Sequence, residues 1–233
     1  MDFLYTFGPT AIGIIASLSI AAYCWKRVRA ASLTVIAWFA VSLGVSQFAF
    51  FPESQASELE ALIRFTIFGT FAFGPAAVLI FMSLKITKFK SALEKIPTSV
   101  LVLTQGYRIG GVFLILAFLR GDLPAEIGLV SGFMDVTVAI TAVALVFMMR
   151  RNKSVSPRLV IVWAVFSLAD FGWATIVKFA TFFGVLELST PSSMLGNPPL
   201  AIISLFALPL GIFVSVYVAL RAQKELSLMR PDN

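Results

Sequence analysis

Residues 127–149 read IGLVSGFMDVTVAITAVALVFMM, and residues 150–158 read RRNKSVSPR. The first string carries one charged residue, Asp135. Its length suits a helix across a hydrocarbon core about 30 Å thick, which takes roughly 20 apolar residues. The second string ends the span with Arg150, Arg151, Lys153 and Arg158. The same alternation of apolar run and polar break recurs in both directions. It marks seven spans, at about Pro9–Trp25, Ser32–Phe51, Ala61–Leu84, Ser99–Leu119, Ile127–Met149, Leu159–Phe183 and Pro199–Leu220. The pieces between them, such as LRGDLPAE and STPSSMLGNPP, are too short to separate domains. Residues 1–233 therefore read as one all-α, seven-helix integral membrane domain.

Composition agrees. The chain is 59% apolar and 13% charged, with a mean hydropathy of +0.94. Soluble domains carry about 25% charged residues to keep their surface in water. The absence of histidine excludes His-ligated haem, His-based zinc or copper sites, a Ser-His triad and an imidazole proton shuttle. A single cysteine, Cys24, excludes internal disulfides and thiolate clusters, and reads as a packing residue. No GxxxxGK[ST] loop occurs, so any transport would be secondary or passive. No cofactor is implied.

The charges set an orientation. Lys26, Arg27 and Arg29 follow the first span, and Lys85, Lys88, Lys90 and Lys95 follow the third. Arg150, Arg151, Lys153 and Arg158 follow the fifth, and Arg221, Lys224 and Arg230 follow the seventh. The opposite loops hold Arg120 with Glu53, Glu58, Glu60, Asp122, Glu126 and Glu187. Basic loops stay in the cytoplasm, which predicts the N-terminus outside and the C-terminus inside a plasma (inner) membrane. The net charge of +6 is thus spent on topology, not on nucleic acid. The leading MDFLYTFGP has no basic residue, so the first span does not read as a signal peptide.

Five ionisable residues fall inside spans, where each is expensive and a functional candidate. Arg64 lies one turn from Glu60 and is expected to pair with it or to snorkel to the interface. Lys178 lies near the outer end of the sixth span and is expected to snorkel to the interface. Arg108, Asp135 and Asp170 lie near mid-membrane. The fourth and fifth spans share a short loop and should be antiparallel neighbours, which places Asp135 opposite Arg108 and leaves Asp170 as a second acid. Gln105, on the face of Arg108, is expected to extend the pair into a network. Gly106 and Gly110 form a small-xxx-small pattern expected to let another helix approach. Pro75 and Pro209 are expected to kink the third and seventh spans and free carbonyls near a cavity.

VIAWFAVSL (35–43) aligns with VIVWAVFSL (160–168) at a spacing of 125 residues, and FAFGP (71–75) loosely with FALP (206–209). This outlines a 3+1+3 parallel repeat, an arrangement similar to that of the SWEET sugar transporters, whose sites lie at the repeat interface. In size and orientation the chain also resembles microbial rhodopsins, but its last span lacks the Schiff-base lysine. Gly132-Phe133-Met134-Asp135 resembles the Gly-x-hydrophobic-Asp element of preflagellin peptidases, which implies an aspartyl protease using Asp135 and Asp170. The closest resemblance is to a family of uncharacterised bacterial multi-span membrane proteins. It rests on Gln105 and Arg108, Gly121 with Leu123-Pro124, Gly132 and Asp135, and then Trp163 and Asp170, across the C-terminal half of the chain. That family carries no established activity.

The expectation is therefore a small secondary transporter or channel-like protein. Arg108, Asp135 and Asp170, supported by Gln105, would bind an ion or small solute. The alternatives are a non-catalytic subunit of a larger membrane complex and the protease. Its expected partners are the lipid bilayer, the solute or ion, and further copies of itself or a larger membrane complex.

Overall fold

A computed structural model describes residues 2–26, 29–48, 50–51, 57–151, 155–188, 190 and 193–229. Arg27, Glu53, Lys153 and Arg230, four of the loop charges, lie outside them. Among the described residues all regular structure is helical: α1 (Asp2–Trp25), α2 (Arg29–Val45), α3 (Glu58–Lys85), α4 (Thr87–Glu94) and α5 (Thr98–Thr104). A 3₁₀ turn (Gln105–Gly110) joins α5 to α6 (Gly111–Leu119). Then follow α7 (Ala125–Gly128), α8 (Val130–Arg150), α9 (Pro157–Phe182), a 3₁₀ turn at Ser193–Gly196, a π turn at Ile203–Ala207, and α10 (Leu208–Leu228).

Six segments are long and apolar enough to cross a membrane: Phe3–Trp25, Glu58–Lys85, Thr98–Leu119, Ala125–Arg150, Pro157–Phe182 and Ile203–Leu228. Outward they present large apolar side chains such as Phe7, Leu18, Val78, Phe81, Ile140, Val162 and Ile176, all more than half exposed. A surface of this kind is an aggregation liability in water and an ordinary lipid-facing surface in a bilayer. The chain is a membrane protein.

The second span is the one the hydropathy pattern overextends. α2 has 17 residues and stops at Val45 instead of running to Phe51. Side chains end it: Ser46 Oγ and Gln47 Nε2 both donate to the Leu43 carbonyl, at 2.8 and 3.2 Å, in competition with the helical ladder. The chain is then clipped to the stretch before the last span. The Phe50 amide donates to the Gly196 carbonyl (3.2 Å), Phe51 donates to Asn197 Oδ1 (3.0 Å), and Asn197 Nδ2 donates back to the Phe51 carbonyl (2.7 Å). α3 starts a turn earlier than its apolar run, because Ser57 Oγ accepts the Glu60 amide in an S-x-x-E cap. It continues through Pro75 as one element.

The ends of the helices sort as the charge pattern requires. Cys24, Ile96 and Arg150 line one groove, Arg221 donates to the Ile96 carbonyl (2.7 Å), and Leu84, Lys90, Glu94 and Lys224 share a pocket with Arg221. This is the basic end of the bundle. The core lies among α5, α8, α9 and α10, where Val102, Val138, Ala142, Ala164 and Val218 are fully buried. Cys24 packs into the same core. Phe206 ties α2 to it, edge-on to Trp38 and Phe39 at 5.6 and 5.0 Å.

α5–α6 and α8 are antiparallel neighbours through the short turn at residues 120–124, as their loop implies. Their closest approach is not at the predicted glycines. Gly110 faces Ile12 of α1 at ordinary contact distance, and a Cβ on Gly106 would meet nothing within 4 Å. The tight position is Gly111, whose Cβ would lie 2.5 Å from Asp135 Cβ and 2.6 Å from the Gly132 carbonyl oxygen. Of the small-xxx-small pair, Gly110 meets α1 and Gly106 meets no helix, while the neighbouring Gly111 carries the approach to α8. Gly111→Ala should push the pair apart and cost about 1–3 kcal/mol by overpacking, read as a lower melting temperature in detergent. Gly106→Ala should melt with the wild type.

Candidate functional site

The centre of the fourth span carries glycine at positions 106, 110 and 111, which weakens α-helical preference there. The chain tightens into the 3₁₀ turn at this point, and such turns inside longer helices recur at functional positions. The turn carries Gln105, Tyr107 and Arg108. The last span has its own irregularity at a matching level, the π turn just before Pro209. Proline lacks an amide hydrogen, so the carbonyl four residues earlier loses its helical donor. That carbonyl, Leu205, instead accepts Ser42 Oγ from α2 at 3.2 Å. The two irregular turns are joined directly, because the Tyr107 hydroxyl donates to the Ala207 carbonyl at 2.6 Å. Gly211 makes room for this contact, since a Cβ there would lie 2.7 Å from the Tyr107 hydroxyl.

Arg108 is 2% exposed and sits among three helices. Its Nε donates to Asp135 Oδ1 of α8, and its Nη2 donates to Asp170 Oδ2 of α9. Nη1 donates to Ser167 Oγ and, at 3.2 Å, to the Ser167 carbonyl. Ser167 Oγ shares a hydrogen bond of 2.8 Å with Ser215 Oγ of α10. The guanidinium lies 4.1 Å from the centre of the Phe171 ring, a cation–π contact on its flat face. Ser131 of α8 is buried beside Asp170. One arginine thus links the α5–α6 segment, α8 and α9, and through two serines α10.

Two expectations change. Asp135 is not the sole partner of Arg108: Asp170 shares it, because the guanidinium fork offers separate donors to two carboxylates. Gln105 is fully buried, but neither atom of its amide has a hydrogen-bond partner among the described residues, so it does not extend the network. Ser167, Ser215, Tyr107 and Phe171 complete the site and were not anticipated. Ser167 carried a readable signal, one turn before Asp170 on the same face. Ser215 carried none.

The outlying charges divide. Arg64 pairs with Glu60 as expected, at 2.7 Å. Lys178 does not snorkel. It is 9% exposed, with its ammonium 4.1 Å from the centre of the Phe51 ring and 5.2 Å from that of Phe68. Aromatic faces hold it inside, where hydropathy alone pointed it to the interface.

A narrow cavity of about 40 Å³ reaches the cluster from the side of α1, touching Arg108 and Asp135 between Tyr107, Phe113, Phe171 and Phe206. At one water per roughly 10–15 Å³ it has room for about three or four waters. Among the described residues no group of three or more Cys, Asp or Glu gathers as a metal site.

Charge counting gives an asymmetric prediction. Arg108→Gln leaves two buried carboxylates facing each other and should destabilise the protein by about 3–5 kcal/mol. Asp170→Asn leaves one guanidinium against one carboxylate and should change stability by less than about 1 kcal/mol. Thermal melts of the purified variants in one detergent measure both.

A family model described as Domain of unknown function (DUF8737) matches residues 64–222. The matched stretch runs from α3 into α10 and contains Arg108, Asp135, Asp170, Ser167 and Ser215. No curated protein and no solved structure matches the chain. Spanning well over half of the sequence and every residue of the buried cluster, the match makes this chain a member of that family of unknown function.

Proposed function

We propose that the protein is a secondary carrier or channel-like conductor for a proton or small cation, working through Arg108, Asp135 and Asp170. The observation that carries this reading is the charge balance of the cluster. One guanidinium stands between two carboxyls in a site that the protein almost closes to water. With both acids ionised, one negative charge is left over in the middle of a membrane, where an isolated charge costs several kcal/mol. A proton on one carboxyl, or a small cation in the adjoining cavity, removes that cost. A site that is comfortable only when loaded, and lies beside two interrupted helices, is the arrangement carriers use.

Placement follows the charge pattern. α2 at 17 residues reaches about 25 Å at 1.5 Å per residue, a short seventh span, and the basic end faces the cytoplasm, which puts the N-terminus outside. The internal repeat adds nothing to the reading. Its two aligned tryptophans hold unlike partners, Trp38 against Phe206 and Trp163 donating to Thr141 Oγ1 at 3.2 Å. The shared arginine also speaks against the protease, whose carboxyls hold one proton between them and activate a water.

Flux across proteoliposomes tests the proposal. Vesicles loaded with a pH-sensitive dye should acidify faster with the protein than without it under an imposed inward-driving potential. Asp170→Asn and Asp135→Asn, each still folded, should fall to the rate of protein-free vesicles. Wild-type rates equal to those of empty vesicles for protons, sodium and potassium would remove the transport reading and leave the accessory-subunit one.

A further inference from the structure

α1 and the fourth span meet at Gly110, where a Cβ would be 3.5 Å from Ile12. One turn nearer the basic end, a Cβ on Gly106 would face open space. From there the two helices diverge and leave a groove of about 570 Å³, within the range of roughly 300–1,000 Å³ that ligand sites occupy. It runs along the basic half of the bundle, from Ile12 and Ile109 near mid-span to Cys24 and Ile96 at the helix ends. Its rim is on the bundle surface: Ile15 is 65% exposed, and Leu103 and Ile109 are also exposed.

The lining is mainly apolar, and two of its hydroxyls are engaged elsewhere, Thr104 with the Leu101 carbonyl (2.6 Å) and Tyr107 with Ala207. A cationic group closes the basic end of the groove. Arg150, the last residue of α8, lines it and makes no ion pair with any described residue. An apolar slot open to the bilayer interior, ending at a guanidinium at headgroup level, has the polarity of an amphiphile with an anionic head. The guanidinium fork matches a phosphate in geometry as well as charge.

We propose that this groove binds one anionic phospholipid from the leaflet at the basic end, with an acyl chain lying along α1 as far as Gly106 and the phosphate held by Arg150. The site is separate from the charged cluster and stands whether or not the protein transports anything. It requires only that the chain is in a membrane.

Native mass spectrometry of the full chain tests it, after detergent extraction and equilibration with phosphatidylglycerol or phosphatidylcholine of the same chain length. The wild type should retain one phosphatidylglycerol in about fivefold preference to phosphatidylcholine, the effect expected of one basic residue at an anionic headgroup. Arg150→Gln should keep a lipid and lose the preference. Gly106→Leu should fill the groove and lose both lipids, with a helical circular dichroism spectrum and the melting temperature of delipidated wild type. Ile15→Trp plugs the groove from α1 and should do the same should Gly106→Leu fail to fold. Equal retention of the two lipids by the wild type would overturn the proposal. So would undiminished retention by a folded groove-filled variant, or a dimer that buries the groove and carries no lipid.

Discussion

The bundle depends on how one guanidinium can be buried. Arginine stays charged at any accessible pH, so its removal from water must be compensated donor by donor. Here the compensation is drawn from separate helices: a carboxylate from α8, a carboxylate, a hydroxyl and a carbonyl from α9, and a serine of α10 behind the hydroxyl. Because lipid tails are as apolar as leucine, apolar burial alone does little to choose one helix arrangement over another in a bilayer. A multidentate polar hub does choose, since any other rotation of these helices strands a charge. The close approach at Gly111 and Gly132 brings Asp135 near enough to reach it.

The same hub is unbalanced, with two carboxyls set against one guanidinium. A purely architectural pair would match one cation with one anion. Arg108 and Asp135 line a small cavity next to two helices that depart from α geometry, and the Tyr107–Ala207 hydrogen bond makes those departures one unit. Strength and imbalance therefore coexist: Arg108 links the helices, and the surplus acid is the basis of the proposed exchange of a proton or an ion.

How much of this was legible varies with the range of the forces involved. Six spans and the gathering of basic residues at one end follow from hydropathy and loop charge, which act locally. The antiparallel pairing of Arg108 with Asp135 was readable because one short turn connects their helices. Asp170 was recognised as a mid-span acid but not as a co-ligand, because nothing local says how far apart α6 and α9 lie. Ser215 is a serine in an apolar helix, indistinguishable by pattern from Ser83 or Ser204. The early end of α2 was hidden because its clip, Asn197, is far along the chain. Lys178 was misjudged because the rings that hold it belong to other segments.

The short turn between the fourth and fifth spans has a consequence for how the chain enters the membrane. A charged residue at the centre of a lone helix costs about 2.5–3.5 kcal/mol on insertion. Delivered singly, the Arg108 helix and the Asp135 helix would each bear that cost. Because residues 120–124 are all that separates them, the two can enter as a hairpin with their charges already neutralised against each other. Asp170, emerging later during synthesis, then meets a guanidinium already placed and waiting for a second carboxylate. The order in which the helices are made is thus also an order in which the charges can be buried.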